Sequence, residues 1–196
     1  MLNTQMTKIG GSKLCSLLFA ALVLAFSSTI HAANILPKMI TPEAGKEYYT
    51  RYNFMFEKGR HVTTNYWRGE LVPVNTKVTL VSLGGKKMVL DIDGVKVSFV
   101  NARKHTQRGI ETIASELLSP TKIPLEKLPG ELRNDVESGV LRLGMTKEQV
   151  LMTRGYPPRH KTSSIKANTW VYWSSKFVQR SLVFTKGKLT RGRGLY

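Results

Sequence analysis

The chain has 196 residues, of which 41% are hydrophobic, and its 30 Lys+Arg against 13 Asp+Glu give a formal net charge of +17. This composition supports a folded core and argues against wholesale disorder. The charge favours anionic partners, while a single cysteine and four histidines exclude an intrachain disulfide and disfavour a zinc site.

Residues 1–33 have the features of a secretory signal peptide. Two lysines precede the apolar run Leu14–Phe26, and small residues end the segment at Ala33. This order is typical of an export signal, and the run is shorter than the roughly 20 residues of a membrane-spanning helix. We expect cleavage, with a retained anchor as the alternative. Cys15 lies at the start of the apolar run, beside Lys13, whereas a lipoprotein cysteine would lie at its far end, so no lipoprotein is predicted.

Export narrows the choice of partner. The chain after residue 33 contains no cysteine, and therefore no thiolate nucleophile and no Cys-bound metal. The anions of a bacterial envelope are phospholipid headgroups, lipopolysaccharide phosphates and peptidoglycan carboxylates. The sequence thus predicts a periplasmic protein, peripheral at the outer membrane, and disfavours nucleic acid as its partner.

Residues 34–105 are predicted to form a small all-β domain. The segment Tyr49–Glu57 alternates with period two, which is typical of a half-buried strand. Further β-rich runs follow at Val62–Trp67, Thr76–Leu83, Lys87–Ile92 and Val95–Val100. Two-residue turns at Gly84-Gly85 and Asp93-Gly94 predict a meander of the last three runs, within a small closed barrel or a strongly curled sheet. Residues 71–78 resemble the first strand entry of bacterial SH3-like domains, which implies an SH3-like barrel.

Residues 106–128 are predicted to be a helix and linker that contain the domain boundary. Apolar residues recur with helical spacing from Ile110 to Leu118, and Pro120 should end this helix. A second helix is predicted over Pro129–Ser138, with Gly139 as its stop.

The last third of the chain combines a helix start with three strand signals. Thr146 can cap a helix reciprocally with Gln149, and Gly155 should close that helix. Strands are predicted over Thr169–Trp173 and Phe177–Phe184, and a third around Leu189 after a glycine turn. The expected order is helix, helix and a three-stranded antiparallel meander.

Nine residues in this region follow a family pattern in the same order. They are Gly144, Met145, Thr146, Val150, Gly155, Pro157, Trp170, Tyr172 and Phe184. In this pattern, residues 141–189 resemble the SmpA/OmlA (BamE-like) family. The resemblance implies an α+β domain over 129–190, with two helices packed on a three-stranded antiparallel sheet. It also implies a non-enzymatic accessory role at the outer membrane, in β-barrel assembly and in contact with anionic phospholipid. The chain departs from the family in lacking the lipidation cysteine and in its added β unit.

Capping, turn geometry and core packing account for most of these nine residues, so contact residues are sought elsewhere. Residues 161–196 contain no Asp or Glu, and 191–196 form a basic tail. The candidate contacts to an anionic surface are Lys176, Arg180, Lys186, Lys188, Arg191 and Arg193. The candidate contacts of the N-terminal domain are the aromatics Tyr52, Tyr66 and Trp67. Trp173 is a further exposed candidate.

The sequence gives little support for an enzymatic function. His61, His105 and His160 are far apart in sequence and lack metal-binding spacing, and no nucleophile elbow or phosphate loop is present. No catalytic residue, cofactor or metal is predicted. The sequence favours a non-enzymatic, exported cell-envelope accessory, assembly or scaffold factor that binds a partner protein or anionic lipid. The alternative is a module that binds peptidoglycan or another anionic polymer through the N-terminal β domain.

Overall fold

The computed structural model describes residues 35–192, and the predicted signal peptide and Arg193 lie outside this range. The fold is mixed α+β, with one large sheet and a separate three-stranded antiparallel sheet. The strands are β1 Glu47–Thr50, β2 Phe54–Phe56, β3 Arg60–Val62, β4 Glu70–Val72, β5 Lys77–Gly84, β6 Lys87–Ile92, β7 Val95–Val100, β8 Leu118–Ser119, β9 Thr169–Trp173, β10 Gln179–Thr185 and β11 Lys188–Gly192. The helices are α1 Arg103–Thr106, α2 Ile110–Leu117, α3 Gly130–Ser138 and α4 Lys147–Arg154, with a 3₁₀ turn at Leu125–Lys127. No helix within 35–192 is long and apolar enough to cross a bilayer.

The large sheet has the strand order β3-β7-β6-β5-β1-β8. Its centre is the predicted meander, because β5 pairs antiparallel with β6 and β6 with β7. At one edge β3 joins β7 in parallel, and at the other β8 joins β1 antiparallel. The short strands β2 and β4 pair with each other in a ribbon of their own.

Two predicted strands are wrong. The chain does not run as one strand from Tyr49 to Glu57, because the backbone amides between β1 and β2 bond elsewhere. The amide of Arg51 donates to Leu117 O at 2.7 Å, and that of Asn53 donates to Met152 O at 2.9 Å. The strand predicted over Val62–Trp67 ends at its first residue instead. There Asn65, at φ 58°, donates its amide to Val62 O at 2.9 Å and closes a turn.

The large sheet and the three-stranded sheet each have a hydrophobic core, and the β2–β4 ribbon contributes to the first. The first cluster joins the buried side of the large sheet to α2, and the second joins α3 and α4 to β9, β10 and β11. Tyr156 packs against both clusters. The predicted helix of segment 106–128 is thus part of the first core as α2, and it stops before Pro120 because Leu118 and Ser119 pair with β1.

A buried ion pair beside the first core also bonds to the segment after α4. Arg108 Nη1 lies 2.6 Å from Glu116 Oε2, and both side chains are less than a tenth exposed. Arg108 Nη2 donates to Pro157 O at 3.0 Å, beyond the end of α4. Residues 35–192 accordingly lie in one compact unit.

The C-terminal elements follow the predicted order. The capping box at the start of α4 is present: Gln149 N donates to Thr146 Oγ1 at 3.2 Å, and Thr146 N donates to Gln149 Oε1 at 2.7 Å. The strand predicted from Phe177 begins at Gln179, because Ser174 N donates to Val178 O at 2.8 Å and makes the preceding residues a turn.

Candidate anion-binding surface

The nine residues of the SmpA/OmlA-like pattern stabilise the fold. Met145, Val150, Trp170, Tyr172 and Phe184 are at most 3% exposed. The Tyr172 hydroxyl donates to Gly155 O at 2.8 Å, which joins β9 to the end of α4. Gly144 N donates to Leu189 O at 2.8 Å, and the carbonyl of Pro157 accepts from Arg108. Burial, capping and hydrogen bonds thus account for most of the nine residues.

The predicted basic contacts do not form one surface. Lys176 lies in the β9–β10 turn and Arg180 follows it in β10, whereas Lys186 and Lys188 lie in and beside the β10–β11 turn. Successive turns of an antiparallel meander lie at opposite ends, so the length of β10, roughly 20 Å, separates the two pairs. Arg191 is exposed on β11. The sheet therefore presents two basic ends.

The β9–β10 turn carries an exposed apolar tip. Phe177 is 85% exposed and Val178 is 49% exposed, both next to the exposed Lys176. Lys176 Nζ lies 5.5 Å from the centre of the Phe177 ring. We call residues 176–178 the hairpin tip. A large exposed aromatic next to a cation is a combination that a lipid interface accommodates and that water does not favour.

Two cavities lie beside this hairpin. The first has a volume of about 290 Å³ and is lined by Tyr66, Lys176, Arg60 and Arg68, among others. Arg68 Nη2 is paired with Glu57 Oε1 at 2.9 Å, on an exposed part of the surface. Tyr66, predicted from the N-terminal unit, and Lys176, predicted from the C-terminal one, thus line one cavity.

The second cavity has a volume of about 310 Å³, and its lining includes Trp67, Arg154 and Arg180. We call it the Trp67 cavity. The guanidinium carbon of Arg154 lies 3.7 Å from the centre of the Trp67 ring, and Arg154 is 9% exposed. Burial, and to a smaller extent the charge of Arg180, lowers the pKa of Arg154 to about 10, although Tyr172 acts in the opposite direction.

No family model, curated protein or solved structure matches the chain. The geometry of its surface is therefore what indicates a function.

The sequence misses Arg154 altogether. It lies in the last turn of α4, where a basic residue is ordinary and complements the helix dipole. The ring that covers it comes from the loop before β4, far away in the chain. No local sequence pattern predicts the contact between Trp67 and Arg154.

A third cavity, an apolar groove of about 690 Å³, lies between α4, the loop before β9 and residues 35–46, which precede β1 and which we call the leader. Met39 and Ile165 on its lining are 52% and 45% exposed, and Lys38, Lys147 and Lys166 also line it. Leu36 N donates to Glu148 Oε1 at 2.9 Å and attaches the leader to α4. The groove is a second place where apolar and basic side chains meet.

Tyr52 is not a surface contact, contrary to the prediction. It is 7% exposed, and its ring packs edge-on against Tyr156 with 6.0 Å between ring centres. Burial raises the pKa of its hydroxyl. Tyr52 lies inside the first core and lines a cavity of about 10 Å³, whereas Tyr66 and Trp67 line the larger cavities beside the hairpin.

The histidines do not form a metal centre within residues 35–192, where no three His, Cys, Asp or Glu side chains are close enough to hold an ion. His61 is buried against Phe99. His105 and His160 do meet, with ring centres 4.6 Å apart, and Trp173 stacks on His160 at 5.9 Å. Trp173 is half-buried there, so it is less available than predicted.

Proposed function

We propose that this chain is an exported, non-enzymatic protein of the cell envelope that associates with an anionic membrane surface through the hairpin tip. The observation that carries the proposal is the 85% exposure of Phe177 next to Lys176. Insertion of such an exposed aromatic side chain into the boundary between headgroups and acyl chains lowers the free energy, because it buries apolar surface. Basic residues near acidic lipid add about 1 kcal/mol each.

The distribution of charge supports the same proposal. Residues 161–196 contain no acid, and among the described residues the one carboxylate that lines the cavity beside Lys176, that of Glu57, is paired with Arg68. Lys176 supplies positive charge at the tip itself, and Arg180 follows it in β10. An outer-membrane accessory or scaffold role would follow from such an association, with a partner protein bound at the same time through the apolar groove.

The family assignment enters as part of this proposal. Residues 129–190 are proposed to be an SmpA/OmlA-like unit, and the sharing of one core by α3, α4 and the three-stranded sheet supports it. An SH3-like barrel in residues 34–105 likewise stays a prediction, supported by the β5–β6–β7 meander.

The test is flotation of the full chain with vesicles of phosphatidylcholine alone and of phosphatidylcholine mixed with phosphatidylglycerol. We expect binding to the mixed vesicles that falls at high salt, and that falls at least about tenfold in Phe177→Ser. Val178→Ser should weaken it less, and Val95→Ser is its matched control, because Val95 is 51% exposed in a different hairpin.

Two outcomes would overturn the membrane contact at the tip. One is binding that is equal in wild type, Phe177→Ser and Lys176→Gln. The other is loss of binding in Ile165→Ser instead, since that side chain, 45% exposed, lies in the apolar groove. Lys86→Gln, an exposed lysine of the β5–β6 turn, controls for the loss of one positive charge.

A second candidate function is recognition of an anionic cell-wall polymer. It is favoured by Tyr66 and Trp67, which each line a cavity that also holds a basic side chain. Aromatic faces next to cations suit sugars that carry carboxylates. Retention of wild type, but not of Tyr66→Ala, on purified sacculi would support this function, and no retention of wild type would remove it.

A further inference from the structure

We propose that the Trp67 cavity is a binding site for the phosphoryl group of a phosphate monoester, held between Arg154 and Arg180. The ligand chemistry is the same whether the group belongs to a soluble ester or to a lipid headgroup. The site is separate from the hairpin tip and does not depend on membrane association there.

Arg154 is the first of the two groups. It is 9% exposed, and its guanidinium lies 3.7 Å from the centre of the Trp67 ring. Within the described part of the chain, this guanidinium has no hydrogen bond or ion pair to a protein group. A buried cation without a counter-charge is costly, and a π face offsets only part of that cost. An anion in the cavity would supply the missing charge.

Arg180 is the second group. It extends from β10 into the same cavity and is half-buried there, and its Nε donates to Ser174 Oγ at 2.7 Å. Arg154 and Arg180 line the same cavity, and the positive charge of Arg180 contributes to lowering the pKa of Arg154. A phosphoryl group offers three oxygens that can accept from both guanidinium groups at once, whereas a carboxylate offers two.

The rest of the lining fits a small anion. It contains no Asp or Glu among the described residues, and it includes the hydroxyls of Ser138 and Ser174. Ser174 Oγ accepts from Arg180, so its own O–H remains able to donate. The volume of about 310 Å³ is at the small end of ligand sites, which suits a phosphate ester of a few carbon atoms. Guanidinium forks match phosphate oxygens, and a monoester carries up to two charges.

The test is titration calorimetry of the full chain with inorganic phosphate, glycerol 3-phosphate and acetate at matched ionic strength. We expect both phosphates to bind and acetate to bind at least about tenfold more weakly. Arg180→Met should weaken phosphate binding at least about tenfold, because one charge-assisted contact is lost. Arg191→Met, an exposed basic position on β11 outside the cavity, is the control and should bind like wild type.

Arg154→Lys and Arg154→Met extend the series. The lysine retains charge but not the fork, so it should bind with intermediate affinity. If Arg154→Met does not fold, the half-buried Arg180→Met still decides the question. Absence of phosphate binding in wild type, or equal binding in Arg180→Met and Arg191→Met, would overturn the site.

Two further arms identify the source of the phosphoryl group. Vesicles containing phosphatidic acid that release the protein when glycerol 3-phosphate is added assign the site to a headgroup. Binding of the soluble ester without such competition assigns it to soluble esters. Phe177→Ser separates this site from the membrane contact: it should leave the affinity for glycerol 3-phosphate unchanged even where vesicle flotation is lost.

Discussion

The side-chain amide of Asn53 donates a hydrogen bond of 2.5 Å to the carbonyl oxygen of Val136, although 83 residues separate the two. Its Oδ1 accepts from the amide of Val74 at 2.6 Å, and Asn53 itself is fully buried. One side chain thus satisfies a carbonyl at the end of α3 and an amide after β4. It connects the N-terminal strands to the second core.

Replacement of Asn53 by Leu should lower the free energy of unfolding by about 3 kcal/mol. The variant leaves the buried amide of Val74 without its acceptor and takes the Asn53 donor from the carbonyls of Val136 and Thr153, although Val136 O still accepts from Gly139 N at 3.2 Å. A buried polar group without a partner costs about 1 to 3 kcal/mol. Urea denaturation followed by tryptophan fluorescence measures the change. Asn134→Ala is the matched control, because Asn134 is exposed on α3, and it should stay within about 0.5 kcal/mol of wild type. Equal losses in the two variants would contradict the role given to Asn53.

The capping box of α4 gives a smaller effect. Thr146→Ala removes the oxygen that accepts from Gln149 N and should cost about 1 kcal/mol of unfolding free energy. Thr146→Ser keeps that oxygen and should retain most of the stability. Circular dichroism during urea denaturation can compare the two, and a serine variant as unstable as the alanine one would assign the cost to the lost methyl group instead.

The sequence predicts those parts of the fold that depend on neighbours in the chain. The capping box, the stop of α3 at Gly139 and the β5–β6–β7 meander all follow from local spacing and turn residues, and all are present. Pairings between distant segments have no such local signal. The parallel contact of β3 with β7, and the break after Thr50, depend on which distant backbone groups are in reach.

In the candidate site, too, the sequence predicts local features but not the contacts between distant segments. Composition identifies the basic C-terminal region and the aromatics Tyr66 and Trp67, but it places them in different domains. The structure brings Trp67 and Arg180 to one cavity, and it buries Tyr52 in the core. Arg154 could not be predicted, because its burial depends on a ring contributed by another segment.

Stability should fall in mild acid because of His61. Burial lowers the pKa of His61 from 6.5 to about 4, against the opposing effect of the hydrogen bond between Nδ1 and Met55 O at 2.7 Å. The unfolded chain therefore takes up a proton at a higher pH than the folded one. The contribution is complete above pH about 6.5 and is lost as the pH falls through about 4, a total of about 3 kcal/mol.

His61→Gln isolates this effect, since glutamine does not titrate. The difference in unfolding free energy between wild type and variant should shrink by about 2 kcal/mol from pH about 7 to about 4.5. Urea titrations at several pH values measure it, and NMR of the ring protons gives the titration midpoint directly. A difference that stays constant over this range, or a midpoint near 6.5 in the folded protein, would contradict the burial of a neutral imidazole.

Replacement by alanine should destabilise the protein more at Gly139 than at Gly187, although the two glycines have nearly the same backbone conformation. Gly139 has φ 73° and Gly187 has φ 76°, so alanine is strained at both by about 1 kcal/mol. At Gly139 the added Cβ would also come within 2.4 Å of Trp67 Cζ2, whereas at Gly187 nothing lies within 4 Å.

We therefore expect Gly187→Ala to cost about 1 kcal/mol and Gly139→Ala about 3 kcal/mol of unfolding free energy, because the Trp67 ring must move in the second variant. Only Gly139→Ala should shift the tryptophan emission and weaken phosphate binding, since Trp67 lies against Arg154. An equal loss of unfolding free energy in both variants would mean that the Trp67 ring can be displaced without cost. The ring would then not fix the position of the Arg154 guanidinium.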